Sequence, residues 1–162
     1  MKRIIAFFSC LFVFFACLPS VNAAGAVTSN EPILVSKTIE YLEDGTTIET
    51  AVYEDPVVIR ASDYMKSGSK TRTVTNPNGD ALYKLTVRGV FSVDEGVEAT
   101  CTSATYSTNI VYSGWSCTSA SATKTGNSAI ANGTFKFKHM GIFTETDNVQ
   151  VVLTCDDLGN LS

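Results

Sequence analysis

From Asp80 onward, apolar and polar residues alternate with the two-residue period of a β-strand that buries one face. Tyr83, Leu85, Val87, Phe91 and Val93 fall on one side, Lys84, Thr86, Arg88 and Ser92 on the other, and Gly89 interrupts the apolar side. Asp94-Glu95-Gly96 supplies turn chemistry. Val97, Ala99 and Cys101 then continue the inward set, so 82–105 reads as a hairpin. A third strand is predicted over 110–118, with Trp115 and Cys117 on one face. A fourth covers 128–139, with Ala129, Ala131, Phe135 and Phe137 inward, and a fifth covers 147–155, with Val149, Val151, Leu153 and Cys155 inward. Helical periodicity is almost absent. Short strands joined by Gly- and Asn-rich turns predict an all-β fold, a small antiparallel β-sandwich or barrel-like domain over 80–162.

Residues 24–79 read differently. They are polar, carry Pro32, Pro56 and Pro77, and include the Ser/Lys/Thr-rich run 66–73. The expectation is a mostly flexible N-terminal arm. Within it, Ile39, Tyr41, Ile48 and Val52 are spaced around Asp44-Gly45, a turn signal that predicts a hairpin over 38–53. A lone hairpin is marginal in water, so it orders only by docking on something else.

Ahead of the arm, Lys2 and Arg3 precede an apolar stretch from Ile4 to Leu18, and Val21-Asn22-Ala23 offers the small residues of a cleavage site. Residues 1–23 therefore read as a secretory signal peptide, with Ala24-Gly25-Ala26 a second possible cut. Lipidation at Cys17 is disfavoured because Phe14 stands where a lipoprotein signal has an aliphatic residue. The ending, Asp156 to Ser162, lacks the apolar tail and basic cluster of a surface-anchoring signal, and nothing after Leu18 is long and apolar enough to span a bilayer. The expectation is a secreted, extracellular protein.

Removing 23 of 162 residues leaves 139, enough for one modest domain. The leader holds two cations and no carboxylate, so the mature chain sets 10 cationic side chains against 16 acidic ones. That balance argues against a nucleic-acid partner.

Cys10 and Cys17 leave with the leader, and Cys101, Cys117 and Cys155 remain, all on predicted inward faces. In an exported protein two of them are expected to bridge. Cys101 and Cys155 each end a long alternating strand and form the first candidate pair. Cys101 with Cys117, which shares a face with Trp115, is the alternative. No cation or helix start sits beside any of them to make a reactive thiolate.

Catalysis has little foothold. His139 is the one histidine, so multi-histidine metal sites are excluded, and no nucleophile elbow or phosphate-cradling glycine motif occurs. Asp94, Glu95 and Glu98 are the acidic group on which a secreted hydrolase would rest, although turn chemistry accounts for them. Asp156 to Asn160 lacks the alternating ligands and closing glutamate of a calcium loop. The sequence thus predicts no catalytic residue, metal or cofactor. What remains is recognition, with Tyr106, Tyr112 and Trp115 the candidate ligand-binding aromatics and Phe143 beside them. For Trp115 the competing reading is a core aromatic, as in many sandwiches.

The run 66–75, Asn78-Gly79, 82–91, Ala99-Thr100-Cys101-Thr102, Trp115-Ser116, Leu153-Thr154-Cys155-Asp156 and Gly159-Asn160-Leu161-Ser162 together resemble a family of small exported proteins of unknown function from Gram-positive, Clostridia-like bacteria. The resemblance covers about 66–162. It implies a bacterial, extracellular setting, a bridge between Cys101 and Cys155 with Cys117 as an extra, and no role for the glycosylation triplets at Asn132 and Asn160. The resulting expectation is a non-catalytic extracellular binding module for a polysaccharide or protein, with a secreted hydrolase or a small toxin or inhibitor as alternatives.

Overall fold

The computed structural model describes residues 31–56 and 64–162; the predicted leader, its cleavage sites and Cys17 lie outside the described residues. Eight antiparallel strands fall within them: β1 (Ile33–Tyr41), β2 (Thr47–Glu54), β3 (Tyr64–Thr75), β4 (Ala81–Asp94), β5 (Glu98–Ile110), β6 (Trp115–Thr125), β7 (Ser128–His139) and β8 (Ile142–Thr154). β1 to β5 form one sheet in chain order, and β6 to β8 a second. No helix occurs among the described residues, so none there crosses a membrane.

The central strands follow the hydrophobic pattern. Tyr83, Leu85, Val87, Phe91 and Val93 of β4 are buried, and they meet Ala129, Ala131 and Phe135 of β7 and Val149, Val151 and Leu153 of β8 in one core. Gly89 and Gly133 keep the inward phase, and each lies under the ring of the phenylalanine two residues on. A Cβ at Gly89 would stand 2.6 Å from the Phe91 ring and 3.0 Å from the Ala129 Cβ; at Gly133 it would stand 2.8 Å from the Phe135 ring. The glycine that interrupts the apolar face is therefore the slot that the neighbouring ring occupies.

Three expectations need correction. The segment read as an arm contributes β1, β2 and β3 to the five-stranded sheet, and the hairpin is longer than expected, with β1 and β2 pairing from Ile33–Glu54 to Tyr41–Thr47. Its docking surface is β4, reached through β3, whose twelve residues pair with β4 from Tyr64–Val93 to Thr75–Ala81. The boundary expected at 79/80 is the turn between two paired strands. Second, β5 runs on to Ile110 and β6 starts at Trp115, where a strand over 110–118 was expected. Extra residues explain the error. A bulge opposite Val90/Phe91 shifts the phase of β5, and another between Cys117 and Ser119 shifts β6, so inward positions change parity within each strand. Third, Val97 is exposed, because it lies on the β4–β5 turn, where its N–H donates to Asp94 O at 2.9 Å.

Gly89→Ala tests the ring-over-glycine packing. The added methyl must displace the Phe91 ring, and overpacking of this kind costs about 2 kcal/mol, more than the backbone entropy that alanine gains in a strand. Urea unfolding should show that loss; equal midpoints for Gly89→Ala and wild type would refute the packing.

Candidate functional site

The predicted aromatic group does not assemble. Trp115 is buried, tilted against Tyr83 at 4.9 Å and against Phe137 at 5.7 Å between ring centroids, so it belongs to the core. Tyr106 is exposed on β5, paired with Val87, and Tyr112 is exposed on the β5–β6 turn, where its N–H donates to Leu82 O. Phe143 belongs to β8, its side chain outside those described.

The three cysteines are free thiols; neither expected bridge is formed. Cys101 and Cys155 are buried on either side of the β6–β7 turn, which accepts the Cys101 N–H at Gly126 O and the Cys155 N–H at Asn127 O. Burial pushes the Cys101 thiol up, and burial with the neighbouring Asp156 charge pushes Cys155 up to about 11. Neither is a ready nucleophile.

Two acidic segments meet at this same end of β4: the Gly96 N–H donates to Asp157 O at 2.9 Å, which brings the Asp94-Glu95-Gly96 turn against the C-terminal loop. Asp156 is occupied within its own loop. Its carboxylate accepts the Leu158 N–H at 3.0 Å, the Asn160 N–H at 2.7 Å and the Asn160 amide at 2.8 Å, bonds that hold it below the usual carboxylate range. Among the described residues no group of three or more His, Cys, Asp or Glu is placed to hold a metal. His139 is exposed at the end of β7.

Two concave places among the described residues combine charged, aromatic and hydroxyl groups. One is a groove of about 350 Å³ across the outer face of the five-stranded sheet. Strand register builds it: Glu49, Thr73, Lys84 and Asn109 form one row across β2 to β5, and Ala51, Thr71, Thr86 and Ser107 form the next. Thr71 and Thr86 hydroxyls bond at 2.8 Å on its floor. One rim carries Glu49, paired with Lys37 at 2.7 Å, and the other carries the Tyr53 ring, with the pair Arg88–Asp55 at 2.7 Å beyond it. The floor is small and hydroxylated because these positions face away from the core.

The other is a cleft of about 200 Å³ between the β1–β2 turn and β8, lined by Asp44, Arg72, Tyr83, Glu145 and Asp147. The Tyr83 ring stacks on Phe135, with centroids 4.0 Å apart and planes within 9°, and its hydroxyl donates to Asp147 Oδ2. Burial and that carboxylate raise the phenol's pKa far above its ordinary value. Burial first, then the charges of Asp147 and Asp44, hold Glu145 above the usual carboxyl range. The sequence reading missed every one of these site residues except Tyr83, which it placed in the core. Parity offered a signal, since Glu145 and Asp147 share the phase of Val149, Val151 and Leu153, and Arg72 shares that of Val74.

A carboxyl with a raised folded pKa binds its proton more tightly folded than unfolded, so its contribution is present below the ordinary glutamate range and is lost as pH rises through the raised value. Glu145→Gln keeps the uncharged form at every pH. It should melt higher than wild type at neutral pH, with the gap closing as pH falls below the ordinary range; a gap independent of pH would refute the electrostatics. For the thiols, half-buried Cys117 should alkylate first in the folded protein at pH 8, while Cys101 and Cys155 wait for unfolding. Mass-mapped iodoacetamide labelling checks the order, and early labelling of Cys155 would contradict its burial.

Comparison with protein-family models, curated proteins and solved structures finds no match to this chain.

Proposed function

We propose that the protein is a secreted, non-catalytic β-sandwich module that binds an extracellular polysaccharide in the groove across its five-stranded sheet. The reading rests on the groove's chemistry: an aromatic ring at one rim, with carboxylate, ammonium, amide and hydroxyl groups along the floor and the opposite rim. Sugars offer apolar C–H faces to such a ring and hydroxyls to such polar groups, and Tyr, Asn and Thr are rigid or short enough to make those contacts at small entropic cost. Strands hold the groove in shape, so the polar groups are positioned before a ligand arrives. Export fits the leader-like first 23 residues and the resemblance to exported Gram-positive proteins. The aromatic that matters in this reading is Tyr53, while Tyr106 and Tyr112 lie off the groove.

Co-sedimentation of the purified protein with isolated peptidoglycan, cellulose and chitin tests it. Saturable, salt-tolerant binding to one of them should weaken about tenfold in Tyr53→Ala and stay unchanged in Tyr106→Ala and Tyr112→Ala. Binding that survives Tyr53→Ala, or no binding to any of the three, overturns the proposal.

A further inference from the structure

The first sheet ends on two unlike strands. β5 runs into β6 and packs against it, whereas β1 pairs with β2 alone among the described residues, and all nine of its residues are exposed. Edge strands are usually guarded by lysine, proline, a bulge or covering chain, because their free N–H and C=O groups are a template for another strand. The bulge between Leu34 and Ser36 guards only the first part of β1. Beyond it stands one lysine, Lys37, and Glu49 on β2 already answers its charge at 2.7 Å. Ile39 and Tyr41 are exposed beside it, Tyr41 by 74 %.

The hairpin sets the direction of the free backbone groups. The Leu42 N–H donates to Thr46 O at 2.9 Å across the turn, so Leu42 belongs to a hydrogen-bonded pair, and such pairs alternate along an antiparallel ladder. Glu40 and Thr38 therefore direct their backbone groups to Ile48 and Thr50 of β2. Lys37, Ile39 and Tyr41 send theirs off the open edge. Lys37 and Ile39 stand in register with Ala51 and Glu49, so these three side chains share the outer face with the groove.

A strand added to this edge must match it, and β1 matches itself in one register. A two-fold axis through Lys37 sets lysine against lysine, and one through Glu40 sets carboxylate against carboxylate, both destabilising. An axis through Thr38 lays each Lys37 against an isoleucine. With the axis through Ile39, isoleucine meets isoleucine, each Lys37 ammonium meets the partner's Tyr41 ring, and on the inner face each Thr38 hydroxyl meets the partner's Glu40. The same register sets open backbone groups against open backbone groups, at Ile39 with the partner's Ile39 and at Lys37 with the partner's Tyr41. We propose that β1 is a self-association edge, through which two copies of this chain join antiparallel about Ile39 into one continuous sheet. The axis is normal to the sheet, so both outer faces lie on one side. That this sets two grooves side by side for one ligand rests on the polysaccharide reading; the dimer itself does not.

Sedimentation velocity of the purified protein, with no polysaccharide present, tests the dimer separately from the groove. One shared strand buries less than a standard interface, so the dimer should be reversible, its mass doubling between about 1 μM and about 1 mM protein. Ile39→Lys sets like charges at the axis on an exposed side chain and should weaken the dimer about tenfold or more. Ile39→Pro removes an N–H that points off the edge and leaves the β1–β2 ladder its own bonds, so it should act in the same direction. Amide hydrogen exchange followed by NMR locates the contact: the Lys37, Ile39 and Tyr41 N–H groups should exchange freely in dilute protein and about tenfold more slowly in concentrated protein. A monomer at every concentration, a dimer that both Ile39 variants leave unchanged, or a dimer in which those three amides stay unprotected overturns the proposal.

Discussion

Tyr83 carries more of this architecture than any other side chain. From β4 it stacks on Phe135 of β7, tilts against Trp115 of β6 and reaches Asp147 of β8 with its hydroxyl, so one residue of the first sheet engages all three strands of the second. A buried phenol must find an acceptor, because leaving its O–H unpaired would cost about 1–3 kcal/mol. Asp147 meets that need, and its position places a carboxylate at the mouth of the core. The aromatic cluster and the polar cleft therefore have one origin. The ring belongs to the packed interior, the hydroxyl belongs to the cleft, and the phase of β8 is fixed by both.

Packing around that cluster is set by glycines. Gly89 and Gly133 sit under Phe91 and Phe135, and Gly114 lies where a Cβ would be 2.6 Å from the Phe137 ring. In each case the absent side chain leaves the space that a neighbouring phenylalanine ring fills. At the other end Leu161, brought back by the Cys155–Leu161 bridge, covers Gly68 in the same manner. Glycine on an inward phase thus marks where a large group lies over the backbone.

The β4, β7 and β8 strands were legible because most of their inward positions are apolar and keep one phase across the core, with Gly89 and Gly133 the small exceptions and Glu145 and Asp147 the acidic ones. β3 was not, and its composition shows why. Its inward positions are Lys66, Gly68, Lys70, Arg72 and Val74, which alternate as regularly as any strand but with cations where apolar residues were sought. Lys70 stands in register between Val52 and Val87, both buried, and burial lowers its pKa; Lys66 pairs with Glu54. Long side chains of this kind cover apolar neighbours with their stems while the charged ends reach outward. A run rich in lysine, serine and threonine therefore reads as solvated chain from composition and behaves as a strand. The phase changes in β5 and β6 were hidden for a related reason: a bulge leaves no mark in the sequence when the residues around it are Ser and Thr. The outer groove was equally unreadable, since its rows come from four strands and exist only through register.

Those inward cations follow from unequal sheet widths. One sheet has five strands and the other three; β4 touches all three strands of the second sheet, β3 touches it through β8, and β1 is exposed along its whole length. An apolar inner face on β3 would leave part of that surface in water, whereas lysine and arginine supply methylene cover and stay solvated at their tips. The same geometry explains the cleft. Where cover by the second sheet ends, at the edge strand β8, the inner face of the first sheet passes from core to solvent. On that boundary Arg72 and Asp147 are partly buried, while Asp44 and Glu145 are exposed and keep contact with solvent. Arg72 from one sheet and Glu145 and Asp147 from the other line that boundary beside the buried Ile48, Val74 and Val149.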